Sequence, residues 1–242
     1  MKKLKLIASI LACTIICSGC SNVSAEQESS KSENPRDNVV MVNKVEPDMV
    51  ECAYSLEELY NKADFIAEVE VKSAETKLFG SIEYTLITPE ITTLYKGSYN
   101  GEILKLRGGY MKFDEYATGI KESIGINLSD DEKNNGYIYI NWCNNYIPEE
   151  NDKILFFGNT DEREVFEGMY SKTYGSQGLF LIDEENNTLI NHSLCINQTF
   201  AEPLAQDLID KYNGVIESNE DYTYVTLTAD KNSIIQAIES FE

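Results

Sequence analysis

The chain offers few side chains that could do chemistry. His192 is its only histidine, with Cys195 three positions later and Cys143 in an earlier segment, so a cysteine nucleophile beside a histidine base can be drawn. Ile190 and Leu194 flank that histidine as they would a packed side chain, and no phosphate loop, G-x-S-x-G or H-E-x-x-H motif accompanies it. One histidine supplies one zinc ligand, and the cysteines lack paired spacing. Asp183-Glu184-Glu185-Asn186-Asn187 and Asp130-Asp131-Glu132 offer the clustered oxygens that calcium takes, but neither has the glycine and closing glutamate of a twelve-residue calcium loop, so both read as solvated turns. Tyr137, Tyr139, Trp142 and Tyr146 lie close together and are the candidate platform for a carbohydrate or peptide, set against the ordinary reading as half-buried sheet residues. These residues point to no cofactor, no metal and no catalytic set.

The cysteine with the clearest assignment is Cys20. Lys2, Lys3 and Lys5 precede an apolar run from Leu6 to Cys17, and the small residues Ser18 and Gly19 lead into Cys20, which is the pattern of an export signal over residues 1–19. The run is shorter than the roughly 20 apolar residues a membrane-spanning helix needs. The segment resembles a bacterial lipoprotein signal, with Cys17-Ser18-Gly19-Cys20 as the lipobox, although Cys17 stands where that pattern has an aliphatic residue. The resemblance implies diacylglycerol in thioether linkage to Cys20 and a place on the outer face of the bacterial cytoplasmic membrane, where two acyl chains give stable anchoring. A rival box, Ile10-Leu11-Ala12-Cys13, leaves only Leu6 to Ser9 as its apolar core, and cleavage without lipid is the remaining alternative.

Net charge is -21, and removal of Lys2, Lys3 and Lys5 with the signal takes it to -24. Nucleic acid and anionic lipid surfaces are therefore not expected partners of the folded body, since both are polyanions. Of six cysteines, Cys13 and Cys17 leave with the signal and Cys20 is committed to lipid, so Cys52, Cys143 and Cys195 remain. An odd set cannot close on itself. One bridge, Cys143 to Cys195, is the favoured pairing, and three reduced thiols are the alternative.

The elements that must position these residues are mostly strands. Residues 20–50 are rich in Ser, Glu, Asn and Lys and read as a flexible tether reaching on the order of 30 Å, with Val39 to Val42 as its one apolar stretch and a candidate strand. A single domain is expected over residues 51–242. Ser55 to Glu58 forms a capping box opening a short helix. Phe65, Ala67, Val69 and Val71 alternate with Glu68, Glu70 and Lys72, and the strand returns after Gly80, with a change of parity at Pro89 that predicts a bulge or edge kink. Further strands are expected at Ile103–Arg107, Tyr137–Trp142 and Lys153–Phe157, a hairpin at Gly178–Ile190, a helix from Thr199 through Phe200, Leu204, Leu208 and Tyr212, a strand at Tyr222–Thr228, and a last helix through Ile234, Ile238 and Phe241.

Several blocks resemble a family of extracytoplasmic lipoproteins of Gram-positive bacteria: Ala63 to Val71, Tyr84 to Gly97, Gly101 to Leu106, Asn151 to Phe157 and Gln177 to Phe180. Their order is also similar to the barrels of netrin-like, metalloproteinase-inhibitor-like domains. The resemblance implies an α+β, mainly β fold, an OB-like closed or partly open antiparallel barrel with a capping N-terminal helix and C-terminal helices. The netrin-like device of a free N-terminal cysteine on a protease's zinc does not transfer, because some 30 residues precede Cys52 and Cys20 is the lipid site. The expected function is a membrane-anchored, non-enzymatic binding or interaction module for an envelope protein, peptide or glycan, held to the bilayer through Cys20. A cysteine-dependent envelope enzyme using Cys143 or Cys195 with His192 is the alternative.

Overall fold

A computed structural model of the chain describes residues 34–45, 51–100, 103–120, 127–175, 177–197, 200–201, 203–218 and 224–241. The compact unit begins at Asn34, earlier than the boundary at residue 51 that composition suggests. A 3-10 turn at Pro35–Asn38 leads into strand β1 (Val39–Val45), which contains the apolar Val39 to Val42 stretch. Helix α1 (Leu56–Lys62) starts at Ser55, whose hydroxyl accepts from the Glu58 amide at 3.1 Å. The reciprocal half of the capping box is displaced by one residue: Glu58 accepts from the amide of Tyr54 at 2.9 Å. Cys20, the expected lipid site, and the segment around it lie outside the described residues.

The barrel is built from five strands. β2 (Phe65–Phe79) and β3 (Ile82–Lys96) form a long hairpin, and β4 (Ile103–Arg107) pairs with β3. An insertion follows, comprising β5 (Gly109–Lys112), α2 (Phe113–Ile120), α3 (Asp130–Asn135) and β6 (Tyr137–Trp142). β7 (Lys153–Thr160) then pairs with β2, and β8 (Met169–Lys172) closes the ring by running parallel to β4 and antiparallel to the end of β7. In chain order the five barrel strands are therefore arranged first, second, third, fifth, fourth, and back to the first. The fold is mainly β with a closed five-stranded barrel and a few helices, as expected, but the ring is not wholly antiparallel, since β4 and β8 run parallel.

Alternation decides what fills it. Phe65, Ala67, Val69 and Val71 point inward with Ile87, Leu104, Leu106, Ile154 and Phe156, all essentially without solvent access. At roughly 1.5–3 kcal/mol for each fully buried large apolar side chain, this set is a core and not a channel. The bulge lies opposite Pro89: Val71 pairs with Pro89 and Ser73 with Thr88, so the extra residue is Lys72 on β2.

From β7 the same sheet extends outward through β9 (Leu179–Asp183) and β10 (Thr188–Asn197), the expected hairpin. β11 (Phe200–Ala201) is a two-residue strand on β10, so α4 (Pro203–Tyr212) begins after Phe200. β12 (Val215–Ser218), β13 (Tyr224–Asp230) and α5 (Lys231–Ser240) complete the chain. α1, α4 and α5 cover one face of this extension around Leu56, Leu59, Phe157, Phe180, Leu204 and Ile234. β1, β6 and β5 make a separate three-stranded sheet, with Met111, Tyr116, Ile138 and Ile140 as its core. Among the described residues no helix is long and apolar enough to cross a membrane.

Candidate functional site

Because Leu104 and Leu106 face the barrel interior, Lys105 and Arg107 between and beyond them face out. Tyr84 sits opposite Arg107 on β3, and Ser171 opposite Lys105 on β8. Over this outer wall come Trp142 from the end of β6, Asn145 from the turn after it, and Arg163 from the segment after β7. Together with Leu106, Lys172 and Gly175 these residues line a cleft of about 260 Å³.

Its charge is opposite to that of the chain. Lys105, Arg107, Arg163 and Lys172 all line it, four of the 20 basic residues and two of the three arginines in a chain of net charge -21. One carboxylate bonds to these cations among the described residues, that of Asp161. It is saturated: Lys105, the Arg163 Nε (2.8 Å) and Nη2 (2.6 Å), and the Ser171 hydroxyl (3.2 Å) all donate to it. The Arg163 guanidinium above all, with Lys105 behind it, holds the Asp161 carboxyl far below the usual carboxylate range. Lys105 is buried, with its ammonium 4.0 Å from the Phe166 ring centre and 4.9 Å from that of Tyr84. Burial pushes its pKa down and Asp161 opposes that.

Arg107 and Lys172 have no such partner. The Arg107 guanidinium lies 3.9 Å from the Trp142 ring centre and 5.0 Å from that of Tyr84, and its Nη1 donates to the Tyr84 hydroxyl at 3.5 Å. Its Nε is buried and makes no hydrogen bond. The Lys172 ammonium donates to Asn145 Oδ1 at 2.7 Å, a neutral acceptor. The residue as a whole is half-buried, but its ammonium end is enclosed, and desolvation pushes it down to about 7.

The expected aromatic platform is divided. Only Trp142 reaches the cleft. Left-handed backbone at Cys143 (φ 51°) and Asn144 (φ 52°) turns the chain before Tyr146. Tyr139 stacks on Tyr110 at 4.5 Å, Tyr146 stacks on His192 at 5.2 Å, and Arg36 lies between Tyr110 and Tyr146. Burial raises the Tyr139 hydroxyl to about 12. Tyr137 stands apart, 5.8 Å from the Lys112 ammonium.

His192 is committed to packing, with Nδ1 3.4 Å from Thr226 Oγ1 and its pKa lowered by burial first and by Arg36 second. Cys143 is buried at the turn, and Asn144 beside it donates to the His192 carbonyl at 2.9 Å. The side chain of Cys195 lies outside the described residues, and with it both the Cys143–Cys195 bridge and any pairing of Cys195 with His192. Asp183 closes its own turn by accepting from the amides of Glu185 and Asn186, and Asp130 to Glu132 form the first turn of α3. Among the described residues no three His, Cys, Asp or Glu side chains gather as a metal site.

Of the cleft residues the sequence singles out Trp142 alone, because the lining comes from five separate segments. The one available signal was Lys105 and Arg107 alternating on a single strand of a very acidic chain. Comparison of the chain with protein-family models, with curated proteins and with solved structures finds no match.

Proposed function

We propose that this protein is a lipid-anchored extracytoplasmic binding module, held on the outer face of the bacterial cytoplasmic membrane by acyl chains on Cys20. It meets an envelope protein, peptide or glycan at the cleft beside β4 and β8. The observation that carries the reading is where space and unsatisfied bonding capacity coincide. The barrel interior is filled, while the outer wall offers an open cleft whose groups are donors and aromatic faces fixed by packing. Fixed donors and flat rings are what a recognition site needs.

Two measurements test it. Mass spectrometry of the mature N-terminus should find diacylglycerol on Cys20, and Cys20→Ala should release the protein from membranes; an unmodified start elsewhere would refute the anchor. Capture from envelope fractions by the intact protein should recover a defined component that Trp142→Ala fails to retain. Turnover of a substrate by the purified protein with no such capture would contradict a binding role.

A further inference from the structure

The cleft on the outer wall of β4 and β8 reverses the sign of the chain around it, and that reversal suggests what it holds. We infer that it receives an oxyanion, a phosphate or carboxylate group carried by the ligand, with Arg107 and Lys172 as the principal donors. This deepens the binding-module reading and rests on it.

Three observations converge. First, Asp161 accepts from Lys105, Arg163 and Ser171, so its bonding capacity is consumed and Arg107 and Lys172 go without a carboxylate among the described residues. Second, Trp142 stacks on the Arg107 guanidinium, whose Nη1 makes one long hydrogen bond to the Tyr84 hydroxyl at 3.5 Å and whose Nε makes none, so most of its N–H edge is left to a ligand. A buried donor left unmade costs about 1–3 kcal/mol, and an arginine edge fits a two-oxygen acceptor. Third, Lys172 carries three N–H donors and spends one on Asn145 Oδ1 at 2.7 Å. A volume of about 260 Å³ suits a single anionic group with a small appendage.

The acidic body does not override this local field. At physiological salt the Debye length is about 8 Å, so surface carboxylates farther away are largely screened, whereas cations lining a partly enclosed cleft act on its contents directly. Asp161 is the exception, and it is already neutralised by two of the four cations. Burial holds the Lys172 proton loosely, and an anion arriving beside Nζ would tighten it.

Trp142 is the only tryptophan in the chain and stacks on Arg107, so its fluorescence reports on the cleft alone. The protein should be titrated with inorganic phosphate and, separately, with succinate, at ionic strength held constant with sodium chloride. A saturable change is expected with at least one probe. Arg107→Lys, which keeps the charge and loses the planar edge, and Lys172→Met should each weaken it at least about tenfold. Melting curves check that both variants fold, and if one does not, the other carries the test. Saturation by phosphate alone assigns a phosphate ligand, and by succinate alone a carboxylate. No saturation by either probe, or undiminished binding in a folded variant, overturns the inference. Envelope capture that survives in Lys172→Met while no anion binds would reject the oxyanion and leave the binding module standing.

Discussion

Arg36 and Arg107 are both held against aromatic rings, yet they end differently. Arg36 lies 5.6 Å from the Tyr110 ring centre and 5.4 Å from that of Tyr146; its Nε meets Glu149 at 2.5 Å and its Nη2 donates to the Ile147 carbonyl at 2.6 Å. Arg107 has the closer stack, on Trp142, but no carboxylate among the described residues and a buried Nε without a hydrogen bond. Stacking alone therefore does not make a binding site. What separates the two is the N–H edge: in Arg36 it ties the segment before β1 to the loop before β7, whereas in Arg107 Nη1 reaches the Tyr84 hydroxyl at a long 3.5 Å and Nε has no hydrogen-bond partner.

Substitutions should pull the two regions apart. The largest effect is expected from Asp161→Asn, which leaves Lys105, whose side chain is 1% exposed, without its counter-ion. Breaking a buried pair from one side costs about 3–5 kcal/mol, to be read by urea denaturation, and a loss under about 1 kcal/mol would show that Lys105 is not held by charge. Arg36→Met should lower stability by about 1–2 kcal/mol through its lost hydrogen bonds and stacking, with phosphate titration unchanged. A weakened titration in that variant would erase the distinction between the two arginines. Tyr146→Phe removes the hydroxyl that donates to Asp152 at 2.7 Å and should cost about 1 kcal/mol in chemical unfolding, again leaving the cleft intact.

A separate effect is in pH dependence. Lys172 is lowered from its ordinary 10.5 to about 7, so between those values the unfolded chain binds more protons than the folded one and stability rises with pH. Lys172→Met should flatten that rise in melting temperature between pH 7 and pH 10. Affinity for succinate, whose carboxylates are ionised throughout this range, runs the other way, falling as pH climbs through about 7 and Lys172 loses its proton while Asp161 stays ionised. An affinity rising with pH over this range would be inconsistent with Lys172 as a donor.

The barrel was legible because its strands carry their instructions locally. Phe65 to Val71 alternates in sequence and packs as it alternates, and the β9–β10 hairpin follows from two apolar runs around Asp183 to Asn187. β1 was half visible: Val39 to Val42 marked a strand inside polar surroundings, but its parallel partner, β6, lies about a hundred residues later, and nothing local announces such a pairing. The cleft was illegible for the same reason. Lys105 and Ser171 meet only because β4 and β8 run side by side, and Arg163 arrives on a loop. Tyr137, Tyr139, Trp142 and Tyr146 are close in sequence, but Trp142 lies at the cleft while the two left-handed residues after it turn Tyr146 toward Arg36 and Tyr110, on which Tyr139 stacks.

The contrast between the arginines can be read in one spectrum. The chain has three, so a nitrogen-15 labelled sample gives three Nε–H signals, from Arg36, Arg107 and Arg163. On addition of inorganic phosphate at constant ionic strength the Arg107 Nε–H should move and saturate while that of Arg36, already facing Glu149, stays in place. An unmoved Arg107 signal, or Arg36 moving with it, would contradict the account.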